Sequence, residues 1–311
     1  LTRSGQQAAA DSSLRRLASI CSLTVAVILV AIKLAAWILT GSVALLSSAI
    51  DALVDTAAAL VTFFGVRYAE RPPDLDHRFG HGKAEAIAGF TQAAFLAGAA
   101  IVLAFESIER LFFPAPVQRS GIGLVVILGS LVAAIGLVIL QSWVVRRTDS
   151  TAIAADRAHY LTDIAVNTAV LMALWLTRFT GWERADPVFA LGISGYMVWN
   201  GRCIAVEVLK QLLDRELSDQ DRERIRQSVL ACEGVLGIHD LRTRNAGDRV
   251  FIAFDIEVNA EATVARGHLI ADCTEMAVKT LFPAGAEVTA HLEPAGIEDE
   301  RLDNLLKRTT G

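Results

Sequence analysis

The chain has 311 residues, is 53% hydrophobic, carries a formal net charge of −5 and has a mean hydropathy of +0.44. That apolar excess lies above what a water-soluble domain carries and, with no basic surplus for nucleic acid, it points to several membrane crossings. Cys21, Cys203, Cys232 and Cys273 show no CxxC or other metal spacing, so buried or inert thiols are expected rather than a disulfide framework.

Residues 1–13 are polar, lack a signal-peptide pattern and are read as a mobile tail. Six apolar segments follow, near Leu17–Leu39, Val43–Tyr68, Ala84–Phe112, Gly121–Val145, Thr151–Phe179 and Pro187–Leu209. Each is long enough to cross a hydrocarbon layer about 30 Å thick. Gly41-Ser42 makes the first turn, and Arg71-Pro72-Pro73-Asp74 breaks the second segment. Phe113-Pro114-Ala115-Pro116 ends the third and Thr180-Gly181 the fifth. An even number of crossings puts both termini on one side. Arg3, Arg15, Arg16, Arg67, Arg71, Arg78, Lys83, Arg146, Arg147 and Arg157 flank one set of ends, against Arg110, Arg119, Arg178 and Arg184 at the other. The positive-inside rule then makes both termini cytoplasmic.

After Leu213 the pattern becomes that of a soluble α+β domain. Ser218-Asp219-Gln220-Asp221 is an N-cap signal for a helix to about Cys232. Val235–Arg244, a turn at Ala246-Gly247-Asp248, and Arg249–Val258 read as strand, turn and strand. Val250, Ile252, Phe254, Ile256 and Val258 alternate, which buries one face. Thr263–Leu281 is a second helix and Glu287–Glu293 a third strand. This α-β-β-α-β order fits a small ferredoxin-like sheet with helices on one face. The expected division is a tail at 1–13, a six-helix membrane domain at 14–211, a metal-binding domain at 212–296 and a tail at 297–311.

The chemistry-bearing residues stand out against this frame. Asp51 and Asp55 are four apart in the second apolar segment, so both project from one helix face. His159 and Asp163 repeat the spacing in the fifth. Ionisable groups in a membrane cost about 2.5–3.5 kcal/mol each on insertion scales and are usually paired or functional. Three carboxylates and one imidazole from two helices suit a tetrahedral divalent-metal site. Asp74, His77 and His81 offer one oxygen and two nitrogens in a loop where Gly80 and Gly82 let the backbone fold around an ion. In the soluble domain His291 and Glu293 share the polar face of the last strand, His268 lies with Asp272 and Glu275 on the polar side of its helix, Asp255 interrupts the second strand, and His239 sits on the first.

Four motifs in order carry a resemblance: Asp51-x-x-x-Asp55; Asp74-x-x-His77-x-x-x-His81-Gly82-Lys83-Ala84-Glu85; His159-x-x-x-Asp163; and Gly237-Ile238-His239-Asp240-Leu241-Arg242-Thr243-Arg244. Over nearly its whole length the chain resembles the cation diffusion facilitators, in particular their bacterial zinc/iron efflux members. The resemblance implies a homodimer in a bacterial inner membrane that exchanges cytoplasmic divalent metal for external protons. It implies a transport site at Asp51, Asp55, His159 and Asp163, and a loop site at Asp74, His77 and His81. A binuclear site is implied at His239, Asp255, His268, His291 and Glu293, where Asp255 and Glu293 replace an expected histidine and aspartate. Lys83 and Asp214 match a charge pair joining the two domains near the dimer seam.

Oxygen donors with one imidazole and no thiolate argue against copper(I) and favour Zn2+, with Cd2+, Fe2+, Co2+ or Mn2+ as further cargo. Ligands must be deprotonated to hold metal, so protons compete for the same atoms, and rocking helices around a midplane site would supply alternating access. A membrane-anchored metal sensor is the alternative, but it needs no intramembrane site. An intramembrane protease would need His-Glu-x-x-His on a helix, which the sequence lacks.

Overall fold

The computed structural model describes residues 3–40, 43–113, 121–180, 184–247, 249–282 and 285–296. Among them run α1 (Arg3–Thr40), α2 (Val43–Ala69), α3 (Lys83–Phe112), α4 (Gly121–Thr148), α5 (Thr151–Thr180) and α6 (Ala185–Leu212). There follow α7 (Asp219–Leu230), β1 (Gly237–Asn245), β2 (Val250–Val258), α8 (Val264–Leu281) and β3 (Ala286–Pro294). Residues 11–209 form one compact unit, and residues from Lys210 onward group with the start of α1 in another. Gly41-Ser42, Pro114-Ala115-Pro116, Arg119, Gly181, Asp248 and the 297–311 tail lie outside the described residues.

Among the described residues, four helices contain stretches long and apolar enough to cross a membrane: Ala10–Leu39, Ser48–Ala69, Lys83–Phe112 and Val125–Thr148. Helices α5 and α6 are of similar length, at 30 and 28 residues. In α5 the charges Asp156, His159 and Asp163 dilute the apolar run. Helix α1 starts well before Leu17, so residues 3–13, read as a tail, are helical. Gln6-Gln7-Ala8-Ala9-Ala10 consists of good helix formers with no proline to stop the helix growing backwards.

A buried polar layer fixes the bundle's register. Asp156 of α5 accepts from Gln141 Nε2 of α4 at 2.6 Å and from Gln92 Nε2 of α3 at 3.5 Å. The Gln92 amide also donates to Ala58 O and Thr62 Oγ1 of α2, each at 2.7 Å. One turn along α5, the Tyr160 hydroxyl meets Ser22 of α1, donating to its carbonyl at 3.3 Å. Slippage of any helix would strand a buried polar group, at about 1–3 kcal/mol each. Gly65 matters in the same way, because a Cβ there would collide with Ala88 across the α2–α3 contact.

Charges tie the helices at one end of this unit. Arg15 Nη1 lies 3.5 Å from Glu85 Oε2 with both side chains buried, and Ser150 donates to Glu85. Ser12 and Arg16 reach Glu70 at 2.7 and 3.0 Å. Arg15 and Arg16, read from sequence as flanking charges, are therefore partners within the bundle.

In the second unit Ser218 caps α7, its Oγ accepting from Asp221 N at 3.1 Å, and Thr263 caps α8 by accepting from Arg266 N at 3.3 Å. The sheet order is β1-β2-β3, with β1 antiparallel and β3 parallel to β2. Helix α8 makes the crossover that a parallel pair requires. Ile252, Phe254, Ile256 and Val258 bury the expected face of β2 against Ile225 and Val229 of α7 and Ile270 and Val278 of α8. Each such side chain contributes about 1.5–3 kcal/mol by leaving water.

Candidate metal sites

The loop between α2 and α3 is built on an Asx turn. Asp74 Oδ1 accepts from the backbone N–H groups of His77 at 2.7 Å and Asp76 at 3.0 Å. Gly80 closes the turn with φ +81°, where a side chain would be strained. Gly82, by contrast, has helical angles as the N-cap of α3, so its role as a second loosening glycine does not hold. The turn brings His77 Nδ1 to 3.2 Å from Asp74 Oδ1 and His81 Nε2 to 3.3 Å from Asp74 Oδ2. Tetrahedral ligands about 2.0–2.1 Å from zinc stand roughly 3.3 Å apart, so these spacings suit an ion. Hydrogen bonding by the His77 backbone N–H, then by its ring, holds the exposed Asp74 carboxyl below its ordinary range.

In the bundle, α5 turns His159 and Asp163 toward Asp55 of α2. His159 Nε2 lies 2.9 Å from Asp55 Oδ1 and 3.9 Å from Asp163 Oδ2. One donor atom from each of the three falls within 4.8 Å of the others. His159 is buried and its Nδ1 has no hydrogen-bond partner. Asp51 is exposed one turn along α2 and is not part of this cluster. Its i, i+4 spacing gives it Asp55's face, but at a different depth.

In the soluble unit the sheet register aligns His239 of β1 opposite Asp255 of β2, and Asp255 opposite His291 of β3. The next row sets Glu257 opposite Glu293. His239 Nε2 lies 3.1 Å from Glu293 Oε2 and 4.0 Å from Glu257 Oε1. His239 is only 5% exposed, its Nδ1 has no hydrogen-bond partner, and its Nε2 faces the Glu293 carboxylate. A buried imidazole left so among carboxylates suits a metal ion, so the residues fit the group that the resemblance implies. The donors within 4.8 Å of one another are those of His239, Asp240 and Asp255. His268 is not among them; its exposed ring pairs with Asp272 at 3.5 Å. Helix α8 packs against the opposite face of the sheet, which separates His268 from the Asp255 row. His291 is exposed, 3.8 Å from Glu293.

Comparison with known families decides what these sites belong to. Residues 19–213 match the cation efflux transmembrane domain, and residues 217–295 match the cytoplasmic domain of cation efflux proteins. The chain belongs to the cation efflux, or cation diffusion facilitator, family. It is 42% identical to the cation-efflux pump FieF of Klebsiella pneumoniae over 280 residues, covering 90% of this chain and 93% of that protein. The Escherichia coli cation-efflux pump FieF is 41% identical over the same span and coverage. The C-terminal domain of MamM in a nickel form is 25% identical, covering 25% of this chain and 98% of that one, with a TM-score of 0.24. This family member is thus a multi-pass membrane transporter of the FieF type, not an enzyme, with a helical transmembrane domain and a C-terminal α/β domain.

Several residues escaped the sequence reading. Asp240 joins His239 because the β1 register slips between His239 and Arg242, with Asp240 at φ +49°; only its acidic character inside a strand signalled it. Gln92, Gln141 and Asp156 form the buried layer, and an acid three residues before His159 was the available clue. All four cysteines are free, with Cys203 and Cys273 exposed and Cys21 and Cys232 partly buried. Cys232 neighbours Cys273 across α7 and α8, and burial followed by the Cys273 hydrogen bond pushes its thiol up to about 11. Asp214 pairs with Arg244 at 3.2 Å.

Proposed function

We propose that the chain exports divalent cations, Zn2+ foremost, from the cytoplasm in exchange for protons, as a homodimer with both termini cytoplasmic. The observation that carries this reading is the convergence of Asp55, His159 and Asp163 on one point between α2 and α5. Two carboxylate oxygens and an imidazole nitrogen suit Zn2+, and tolerate Cd2+, Fe2+, Co2+ and Mn2+. Asp51, one turn away, completes the set when α2 turns during transport.

Metal and protons compete because each donor must be deprotonated to bind metal. Facing the cytoplasm the site loads metal and sheds protons; facing out, protons entering down their gradient displace it. Rocking of α2 and α5 between these states supplies alternating access. Asp74, His77 and His81 form a second site at the loop. His239, Asp240, Asp255, Glu257 and Glu293 would hold regulatory metal in the soluble unit, where binding supplies the positive charge that their carboxylates lack. His268 and His291 add donors there when copies pair.

The test is zinc flux by the purified full-length protein in proteoliposomes. Flux that rises with an imposed pH gradient and disappears in Asp55→Ala supports the proposal. Gradient-independent flux removes the proton exchange, and undiminished flux in Asp55→Ala removes the site.

A further inference from the structure

Lys33 stands in α1 within the apolar stretch Ala10–Leu39, where a charged side chain usually marks a transport pathway or a partner. Its depth follows from the buried polar layer. Ser12 of α1 meets Glu70 of α2, and Ser150 before α5 meets Glu85 of α3, so all four chains leave the layer toward the far end together. Along that direction Lys33 lies about 16 Å past Ser22, which also bonds Asp156 of that layer, and Asp51 about 16 Å past Thr62, at roughly 1.5 Å per residue. Asp55 and Asp163 lie only about 10 Å past Thr62 and Asp156 by the same measure. Lys33 therefore shares the depth of Asp51, one turn beyond the Asp55–Asp163 pair.

A helical side chain tilts toward its own N-terminus, so the Lys33 ammonium leans back toward that pair. Its field reaches both Asp51 and Asp163. Glu106, the acid on α3 that also acts on Asp51, is itself paired with Arg110 at 2.5 Å. An ammonium has no lone pair and cannot ligate metal. It can only repel a cation or neutralise a carboxylate.

We propose that Lys33 is the fixed counter-charge of the transport site, weakening its hold on the divalent cation so that bound metal dissociates faster. This rests on the reading that Asp55, His159 and Asp163 carry the cargo. With metal bound, Asp51, Asp55, Asp163 and a neutral imidazole leave one net negative charge, which Lys33 cancels. The loaded site is then neutral in a medium where net charge is costly. Its repulsion lowers the affinity of the occupied site whichever way that site faces. A pump gains turnover by not binding its cargo too tightly.

The experiment uses full-length protein, in detergent for Zn2+ binding and in proteoliposomes for Zn2+ flux, with Lys33→Met, Lys33→Gln, Lys33→Arg and Asp55→Ala. The neutral variants should bind Zn2+ about tenfold tighter and turn over about tenfold more slowly, while Lys33→Arg stays within about twofold of the parent. Neutral variants with parental affinity and rate, or with weaker binding, overturn the proposal. Loss of the fold in both neutral variants also counts against it, because it gives Lys33 no part in packing. Asp55→Ala separates the two readings: if it still transports, the site assignment fails; if it is dead while Lys33→Met behaves as the parent, only the counter-charge fails.

Discussion

His159 Nε2 of α5 lies 2.9 Å from Asp55 Oδ1 of α2, a pairing between residues 104 positions apart. Either residue alone would be an isolated polar group facing an apolar bundle; together they set a nitrogen beside an oxygen, the pairing on which the proposed site rests. Changes to groups that merely support a metal ligand cost about 10–100-fold, so removing a ligand should cost at least about 100-fold in zinc flux. Asp55→Ala and His159→Ala are expected to reach that loss while eluting as folded protein of unchanged size. Flux within tenfold of the parent in either variant would exclude the residue as a ligand.

Asp74 gives a prediction about pH. Its carboxyl sits below its ordinary range because the His77 backbone N–H and then the His77 ring bond to the ionised form. A group with a lowered folded value adds order to the loop at all pH above its unfolded value of about 3.9. That contribution fades only as pH falls through the lower folded value. Between about pH 5 and 8 Asp74 therefore stays ionised and does not set the pH dependence of metal binding. Asp74→Asn should weaken zinc binding at the loop without moving its pH midpoint, as read by binding isotherms across that range. A midpoint that shifts with the substitution would assign the titration to Asp74.

The ends of ten of the eleven described elements were legible within a few residues, because caps and breakers mark them: Ser218 and Thr263 cap α7 and α8, and Arg71-Pro72-Pro73-Asp74 follows α2. The start of α1 was not, since polar composition was read as a tail although Gln and Ala favour helix. Asp55, His159, Asp163 and the Asp74–His77–His81 loop were legible because helical spacing and short loops fix local geometry. Asp240 was hidden by a register slip that no spacing reveals, and the separation of His268 depends on which sheet face α8 covers.

The buried layer predicts a stability effect distinct from transport chemistry. Asp156 accepts from Gln141 at 2.6 Å in a fully buried setting. Asp156→Leu strands the buried Gln141 amide, at about 1–3 kcal/mol, while Gln92 keeps Ala58 O and Thr62 Oγ1. Asp156→Asn should retain most of the network after its amide reorients. Thermal unfolding in detergent should therefore drop clearly for Leu and little for Asn. Equal losses would mean that shape, not hydrogen bonding, holds this layer.

His239 makes the soluble site testable by stability. Its ring is buried with Nε2 3.1 Å from Glu293 Oε2, so His239→Ala should lower the metal-free melting temperature through lost packing. The zinc effect is read against the variant's own metal-free form. A ligand at 100 times its Kd stabilises by about 2.7 kcal/mol, and that increment should vanish in the variant. His268→Ala, which alters an exposed ring, should keep it. Melting temperatures with and without zinc separate these outcomes. A zinc-induced rise that persists in His239→Ala would move the site elsewhere.

The resemblance implies an interdomain pair between Asp214 and Lys83, and the structure gives Asp214 a partner in its own unit, Arg244 at 3.2 Å. Both side chains of that ion pair are about a third exposed, so it contributes only about 0–1 kcal/mol. Asp214 also has φ +54°, a conformation that Asp and Asn tolerate and Ala resists. Asp214→Ala would therefore mix lost charge with backbone strain. Asp214→Asn isolates the charge, and two double-mutant cycles, Asp214→Asn with Arg244→Gln and Asp214→Asn with Lys83→Gln, assign the partner. A local ion pair should appear as coupling with Arg244 in thermal stability and none in flux. A link between domains should appear as coupling with Lys83 in dimer fraction and zinc flux, and the swap Lys83→Asp with Asp214→Lys should restore part of both. If Lys83 and Asp214 act additively in both readouts, Asp214 serves only its own domain.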